Sequence, residues 1–131
     1  PVVRKQGGKV CLFMTWGRRD GDKRNPSIYP DFKTMHNKVS GNYLKAAKTN
    51  GLLLAPVGKA FEHIHATDRD LFQKLYKKDG SHPDKAGGFL VACVFFKALT
   101  GRSPEGIRWD GGFNSATAAK LRKAAVKAFD K

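Results

Sequence analysis

The chain has 131 residues, of which 40% are hydrophobic and 11% aromatic, so its composition fits one small globular domain and excludes a disordered chain. Its net charge is +14, from 25 lysines and arginines against 11 aspartates and glutamates. Such an excess predicts attraction to an anionic polymer or an acidic protein, although neither an RNA-recognition motif nor zinc-finger spacing accompanies it. No apolar stretch reaches the length of a membrane span, so none is expected.

The chain begins with Pro1 rather than methionine and shows no N-terminal signal sequence. We therefore expect a processed product or a segment of a longer protein, and we favour a secreted or lumenal location over a cytoplasmic one. Cys11 and Cys93 both lie in apolar runs. Two buried thiols are expected there rather than a disulfide.

The first elements predicted along the chain are a strand, a helix and a second strand. The apolar run 10–16 (VCLFMTW) is typical of a strand buried on both faces of a parallel sheet. After a polar loop, Asp31 is placed to cap a helix over 31–49. Its apolar side chains fall at helical spacing: Phe32, Met35, Val39, Tyr43 and Ala46. The run 52–57 (LLLAPV) is typical of a second buried strand.

Helices dominate the prediction for the second half of the chain. A short helix is predicted at 59–65, whereas the segment 71–76 is compatible with either a helix or a strand. A loop at 77–83 leads into a helix over 85–99 that is apolar nearly all round, and a basic helix at about 114–130 ends the chain. This order of strands and helices indicates an α/β fold with a parallel sheet. Because such sheets usually have about five or six strands, two strands predict only part of a domain.

The loop before the apolar helix carries a pair of residues suited to acid–base chemistry. Asp79 stands three residues before His82. At this spacing the carboxylate can accept a hydrogen bond from one ring nitrogen and leave the other nitrogen to take a proton from a serine hydroxyl. Gly80 permits a tight turn and Pro83 stiffens the loop. An Asx turn and helix cap with an incidental histidine explains the same pattern and stays open as the alternative.

The segment from Asp79 to Gly101 (DGSHPDKAGGFLVACVFFKALTG) resembles the last conserved block of the SGNH (GDSL-type) hydrolases, where an Asp and a His stand three apart before the final helix. The segments LFMTWGRRDGD, YPDF and LLLAPVGKAF resemble a bacterial and algal branch of that superfamily. The resemblance therefore covers about Val10 to Pro104.

The resemblance implies a fold and an activity. Residues 1–131 would be the C-terminal part of a single SGNH hydrolase domain, a partial flavodoxin-like three-layer sandwich with parallel strands. The implied activity is that of a serine esterase acting on a carbohydrate or other acyl ester, with His82 as the general base and Asp79 as the acid that orients it. No cofactor and no metal are expected.

The chain departs from the SGNH pattern where the nucleophile should stand. No Gly-Asp-Ser precedes Val10, and no Gly-x-Asn-Asp supplies the oxyanion hole. We therefore expect the N-terminal half of the same hydrolase domain to be a partner, as a separate chain or a cleaved segment. The alternative function is a non-catalytic basic subunit of a large assembly that binds RNA or an acidic partner. The absence of the segment with the nucleophilic serine and the net charge favour this alternative, whereas the presence of both Asp79 and His82 favours the enzyme.

Two further pairs of residues are candidates for a site. Trp16 ends the first predicted strand and Arg18 follows it, at the end that faces the ligand crevice in open parallel sheets. We predict that both bind substrate, with core packing of Trp16 and simple solvation of Arg18 as the alternatives. His63 and His65 would lie on one side, as metal ligands need, only if their segment were extended, and no third ligand stands close in sequence.

Overall fold

The structure is a computed structural model that describes residues 1–130. It is mixed α/β and mostly helical, with one small parallel sheet. The elements in chain order are α1 (Val2–Lys5), β1 (Cys11–Phe13), α2 (Phe32–Asn50), β2 (Leu53–Ala55), α3 (Val57–Thr67), α4 (Arg69–Lys74), α5 (Lys85–Thr100), a 3₁₀ turn (Pro104–Gly106) and α6 (Ser115–Lys127). None of the helices in this described part is both long enough and apolar enough to cross a membrane.

The two strands pair in parallel, as the sequence predicts. Their register aligns Cys11 with Leu53, Leu12 with Leu54 and Phe13 with Ala55. Both strands are shorter than the predicted runs 10–16 and 52–57. Beyond the first strand, the N–H of Met14 still donates to the carbonyl of Ala55 at 3.0 Å, and Trp16 stacks on a ring of α3. The second strand ends because Val57 already begins that helix. Helices α2 and α5 both contact β2.

Helix α2 matches its predicted range within one residue. The Asp31 side chain accepts a hydrogen bond from the backbone N–H of Thr34 at 2.7 Å, which caps the first turn. Gly51 ends the helix with φ of +59°, a left-handed conformation that favours glycine. The buried face differs from the predicted one. Phe32 is buried as predicted, but Met35, Val39, Tyr43 and Ala46 are only half-buried. The other buried positions are His36, Ser40 and Ala47.

The sequence is compatible with either a helix or a strand over 71–76, and the structure shows a helix followed by one residue in a β-bridge. Helix α4 covers its first part and is capped by Asp68, whose side chain accepts a hydrogen bond from the N–H of Leu71 at 3.0 Å. Tyr76 then forms an isolated antiparallel bridge with Pro83. The predicted helix at 59–65 is also longer, because α3 begins immediately after β2.

The last two helices follow the prediction with small corrections. Helix α5 ends at Gly101, which has φ of +72°. Asn114 caps α6 by accepting a hydrogen bond from the N–H of Thr117 at 2.8 Å. Helix α6 ends at Lys127, short of the predicted 130. Helix α1 and the 3₁₀ turn were not predicted, because elements this short carry no hydrophobic period.

The core lies between α3, α5 and α6, which pack against one another. Its largest fully buried apolar side chains include Phe61, Ile64, Leu90, Val94 and Leu121. Cys93 is buried in this core and Cys11 is half-buried beside it. Both thiols are free, as the sequence predicts.

Candidate functional site

The loop that carries Asp79 and His82 is closed by its own backbone. The N–H of Lys77 donates to the carbonyl of His82 at 2.9 Å, and the N–H of Gly80 donates to the carbonyl of Lys77 at 3.0 Å. Gly80 has φ of +67°, so this turn uses the conformational freedom of glycine, as predicted. The Tyr76–Pro83 bridge holds the two ends of the loop together. The loop is therefore a defined scaffold for its side chains.

Asp79 contacts His82 with both of its carboxylate oxygens. Its Oδ2 lies 2.6 Å from Nδ1 of the imidazole, which makes Nδ1–H the donor in this pair. Its Oδ1 accepts hydrogen bonds from the backbone N–H of Ser81 at 2.9 Å and of His82 at 3.0 Å. The predicted approach of the two side chains is thus confirmed, and the Asx turn named as its alternative is present as well. One carboxylate serves both purposes.

Hydrogen bonding keeps Asp79 ionised. The backbone N–H of Ser81, followed by the ring and the backbone N–H of His82, holds the pKa of Asp79 well below its usual range. The pair is open to solvent, since 73% of the His82 side chain and 48% of the Asp79 side chain are exposed. Nε2 of His82 has no hydrogen-bond partner within residues 1–130. The ring is oriented by one nitrogen and presents the other outward.

The loop lies beyond the carboxyl end of β1, in contact with the residues that follow this strand. The indole Nε1 of Trp16 donates to the carbonyl of Ser81 at 3.1 Å, and the N–H of Arg19 donates to the carbonyl of Gly80 at 2.8 Å. The indole also stacks on Phe61, with ring centroids 4.3 Å apart and planes within 3°. Trp16 therefore has a structural role of its own, because it packs on the core and anchors the site loop.

Arg18 is engaged with a carboxylate that sequence reasoning overlooked. Asp22 is only 6% exposed and accepts hydrogen bonds from the Arg18 guanidinium at 3.1 Å and from the Arg24 backbone and side chain at 3.1 and 3.2 Å. The backbone N–H of Arg24 and its guanidinium lower the pKa of Asp22 to about 2. The only signal in the sequence is an aspartate among arginines in a loop. Arg18 is thus part of an ion-pair network rather than simply solvated.

A histidine also lies near the carboxyl ends of the strands, and sequence reasoning missed it. His36 of α2 is fully buried, and its ring stacks on Phe32 with centroids 5.2 Å apart. Neither ring nitrogen has a hydrogen-bond partner in the described residues, and the nearest carboxylate oxygen, on Glu62, lies 3.8 Å from Nε2. Burial lowers the pKa of His36 to about 4, against an opposing effect of Glu62. The imidazole is therefore neutral at pH 7.

The histidines at 63 and 65 do not form a metal site. Because they lie in helix α3 rather than in a strand, they point in different directions. His63 faces Lys123 and Lys127, whereas Nε2 of His65 lies 2.7 Å from the Arg69 guanidinium. Among residues 1–130 no group of three or more His, Cys, Asp or Glu side chains is placed to hold a metal ion.

No family model matches the chain, and no curated protein matches it. Among solved structures, it is similar to a DUF4886 family protein from Bacteroides uniformis, with a TM-score of 0.77 and 22% sequence identity. The match covers 90% of this chain and 46% of that one, so the chain spans less than half of the length of that protein. At this identity the similarity shows the α/β fold and carries no activity with it.

Proposed function

We propose that this chain supplies the Asp–His part of an SGNH-type ester hydrolase site. The observation that carries the proposal is the contact of 2.6 Å between Asp79 Oδ2 and His82 Nδ1, which leaves Nε2 unpartnered and exposed. A general base for a serine needs this arrangement, because the carboxylate fixes the tautomer and the free nitrogen takes the proton. In this proposal the two-stranded sheet is part of a flavodoxin-like three-layer sandwich.

The chemistry follows from the free nitrogen. Nε2 of His82 takes the hydroxyl proton of a serine as its oxygen attacks the ester carbonyl, and Asp79 stabilises the imidazolium that forms. The imidazolium then gives this proton to the departing alcohol, which leaves an acyl-serine. Nε2 next takes a proton from a water molecule that attacks the acyl group, and returns it to the serine as the free acid leaves. The depressed pKa of Asp79 supports its part, since the group stays a carboxylate throughout.

We place the serine and the oxyanion hole on a partner, the N-terminal half of the same hydrolase domain. Three observations support such a partner. The Asp79–His82 pair is exposed, although such pairs act best where water is excluded. The sheet has two strands, and β1 is paired on one side, with β2. The structural relative from Bacteroides extends well beyond the part that this chain matches.

An acyl ester, on a carbohydrate or another alcohol, is the substrate that we propose. It would lie at the carboxyl end of β1, beside Trp16 and the arginine-rich loop that follows. Because the indole already packs on Phe61 and holds the loop of His82, we expect it to present its exposed edge rather than its face.

A fluorophosphonate probe tests this proposal, because it reacts covalently with serines that a base has activated. The experiment uses the complete hydrolase, in which this chain is joined by the polypeptide that carries the serine, and mass spectrometry locates the label. We expect one labelled serine outside residues 1–131 and a rate of labelling at least about 100-fold lower in the His82→Ala variant. Lys45→Gln, an exposed change in α2, serves as the control. A probe that labels no serine, or labels it at the same rate without His82, contradicts the proposal.

A further inference from the structure

A groove of about 140 Å³ runs beside the loop of Asp79, between that loop and the segment after β1. We call it the basic groove. Five cationic side chains line it together with three carboxylates: Arg18, Arg19, Lys23, Arg24 and Lys78, against Asp20, Asp22 and Asp79. Its wall therefore carries an excess of positive charge directly beside the candidate catalytic pair.

Each of the three carboxylates in the basic groove already contacts an arginine or the imidazole of His82. Asp20 pairs with Arg19 at 2.9 Å, buried Asp22 pairs with two arginines, and Asp79 holds His82. Lys23 and Lys78 are exposed, and neither forms an ion pair within the described part of the chain. These two ammonium groups are thus the charges that an incoming anion would meet first.

The backbone holds the basic groove in place before any ligand arrives. Gly21 has φ of +75°, and a Cβ there would lie 2.7 Å from the backbone nitrogen of Asp31, so this turn requires glycine. The N–H of Asp22 donates to the carbonyl of Tyr29 at 2.9 Å, and its buried carboxylate fixes Arg24. A charged wall that is already ordered binds an anion without the cost of ordering a loop.

We propose that the basic groove binds an acidic carbohydrate, one that bears carboxylates as well as acyl esters, and so selects it as the substrate. Lys23 and Lys78 are the residues that determine this selection. The inference rests on the proposed ester hydrolysis at His82, because the groove adjoins that site. Such a carbohydrate fits both features, since its hydroxyl groups can carry acyl esters while its carboxylates stay charged. None of the described residues that line the groove is aromatic, so bases of a single-stranded nucleic acid have no ring to stack on there.

The test measures binding and needs no catalysis. Nuclear magnetic resonance titrations follow the backbone amides of Arg19 and Gly80 while oligogalacturonate, which carries one carboxylate per sugar, is added to the protein. A neutral malto-oligosaccharide of the same length and a polyuridylate of matched charge are the comparison ligands. The double variant Lys23→Gln/Lys78→Gln is compared with Lys45→Gln/Lys48→Gln, which removes the same charge from exposed positions on α2.

We expect oligogalacturonate to bind at least about tenfold more tightly than the neutral oligomer, and to bind more weakly as salt is added. The groove variant should lose about tenfold in affinity, and the α2 variant less than about twofold. Three results would each overturn the proposal. The neutral oligomer binds as tightly as oligogalacturonate, both double variants lose the same affinity for oligogalacturonate, or polyuridylate binds as tightly as oligogalacturonate. The proposed hydrolysis fails separately, if fluorophosphonate labelling is independent of His82 while oligogalacturonate still binds.

Discussion

The buried imidazole of His36 should make this protein sensitive to mild acid. Its ring is fully buried, and the nearest charged groups are Glu62, whose carboxylate lies 3.8 Å from Nε2, and Lys59, which pairs with that carboxylate. Burial lowers the pKa of His36 from 6.5 to about 4. In the unfolded chain the ring takes a proton near pH 6.5, whereas in the folded protein it stays neutral until about pH 4. The stability due to neutral His36 is therefore complete above pH 6.5 and is lost as the pH falls towards 4.

The size of this effect follows from the two pKa values. Each pKa unit corresponds to about 1.4 kcal/mol, so the full effect is about 3 kcal/mol, of which about 2 kcal/mol is lost between pH 7 and pH 5. Aspartates change the free energy of unfolding little between pH 5 and pH 7. Their ordinary pKa is 3.8, so in this range they are ionised in both the folded and the unfolded protein. The pKa values of His63 and His65 are also lowered by burial, so they change stability in the same direction and call for a matched variant.

Urea unfolding at pH 7 and pH 5, followed by far-ultraviolet circular dichroism, provides the measurement. The wild type should lose more free energy of unfolding than the His36→Gln variant, by about 2 kcal/mol, because glutamine does not titrate. His36→Gln lowers the stability at pH 7, so it is the difference between the two pH values that is compared. If the wild type and His36→Gln lose the same free energy of unfolding, His36 is not a buried neutral imidazole and the account of α2 is wrong.

Three further substitutions test the packing that positions the site. Gly58→Ala should cost about 1–3 kcal/mol of unfolding free energy, because the added Cβ would clash with the backbone carbonyl oxygen of Thr15 and lie 2.7 Å from Cε1 of His36. Gly41→Ala, in an open position of α2, should instead stabilise by up to about 1 kcal/mol, and equal effects of the two substitutions in urea unfolding would contradict this. Asp22→Ala should lower the urea midpoint clearly more than Asp20→Ala does, since buried Asp22 is the shared partner of two arginines and Asp20 is exposed. Trp16→Phe keeps an aromatic ring on the core and removes the donor to the site loop, so hydrogen exchange in residues 79–82 should become about fivefold faster while exchange in α5 is unchanged.

The features that could be predicted from the sequence are those that local chemistry determines. Asp31 and Asn114 act as helix caps because a short acceptor side chain satisfies a free N–H within three residues. The contact between Asp79 and His82 was predictable for the same reason, because the spacing and the tight turn at Gly80 bring the two together. The parallel pairing of the strands followed from apolar runs separated by a helix.

The features that could not be predicted depend on residues distant in sequence. The buried face of α2 includes His36, whose ring packs closely against Gly58 of α3, and nothing in the local pattern shows this contact between residues 22 apart in the sequence. The stacking of Trp16 on Phe61 joins residues that lie 45 apart in the sequence, so no local pattern predicts it. The burial of Asp22 could not be predicted, since nothing in the local pattern shows that two arginines bind its carboxylate.

The general-base role that we propose for His82 is tested most directly by kcat/KM for hydrolysis of 4-nitrophenyl acetate, measured on this chain together with the proposed N-terminal half of the domain. His82→Ala should lower kcat/KM by several orders of magnitude with the fold intact, because the serine hydroxyl then has no base. Asp79→Asn should cost about 10³–10⁴-fold, nearly as much, because Asp79 is the partner of Nδ1 in the described structure and an amide would favour the wrong tautomer. Activity in His82→Ala equal to that of the wild type would contradict the assignment of this site.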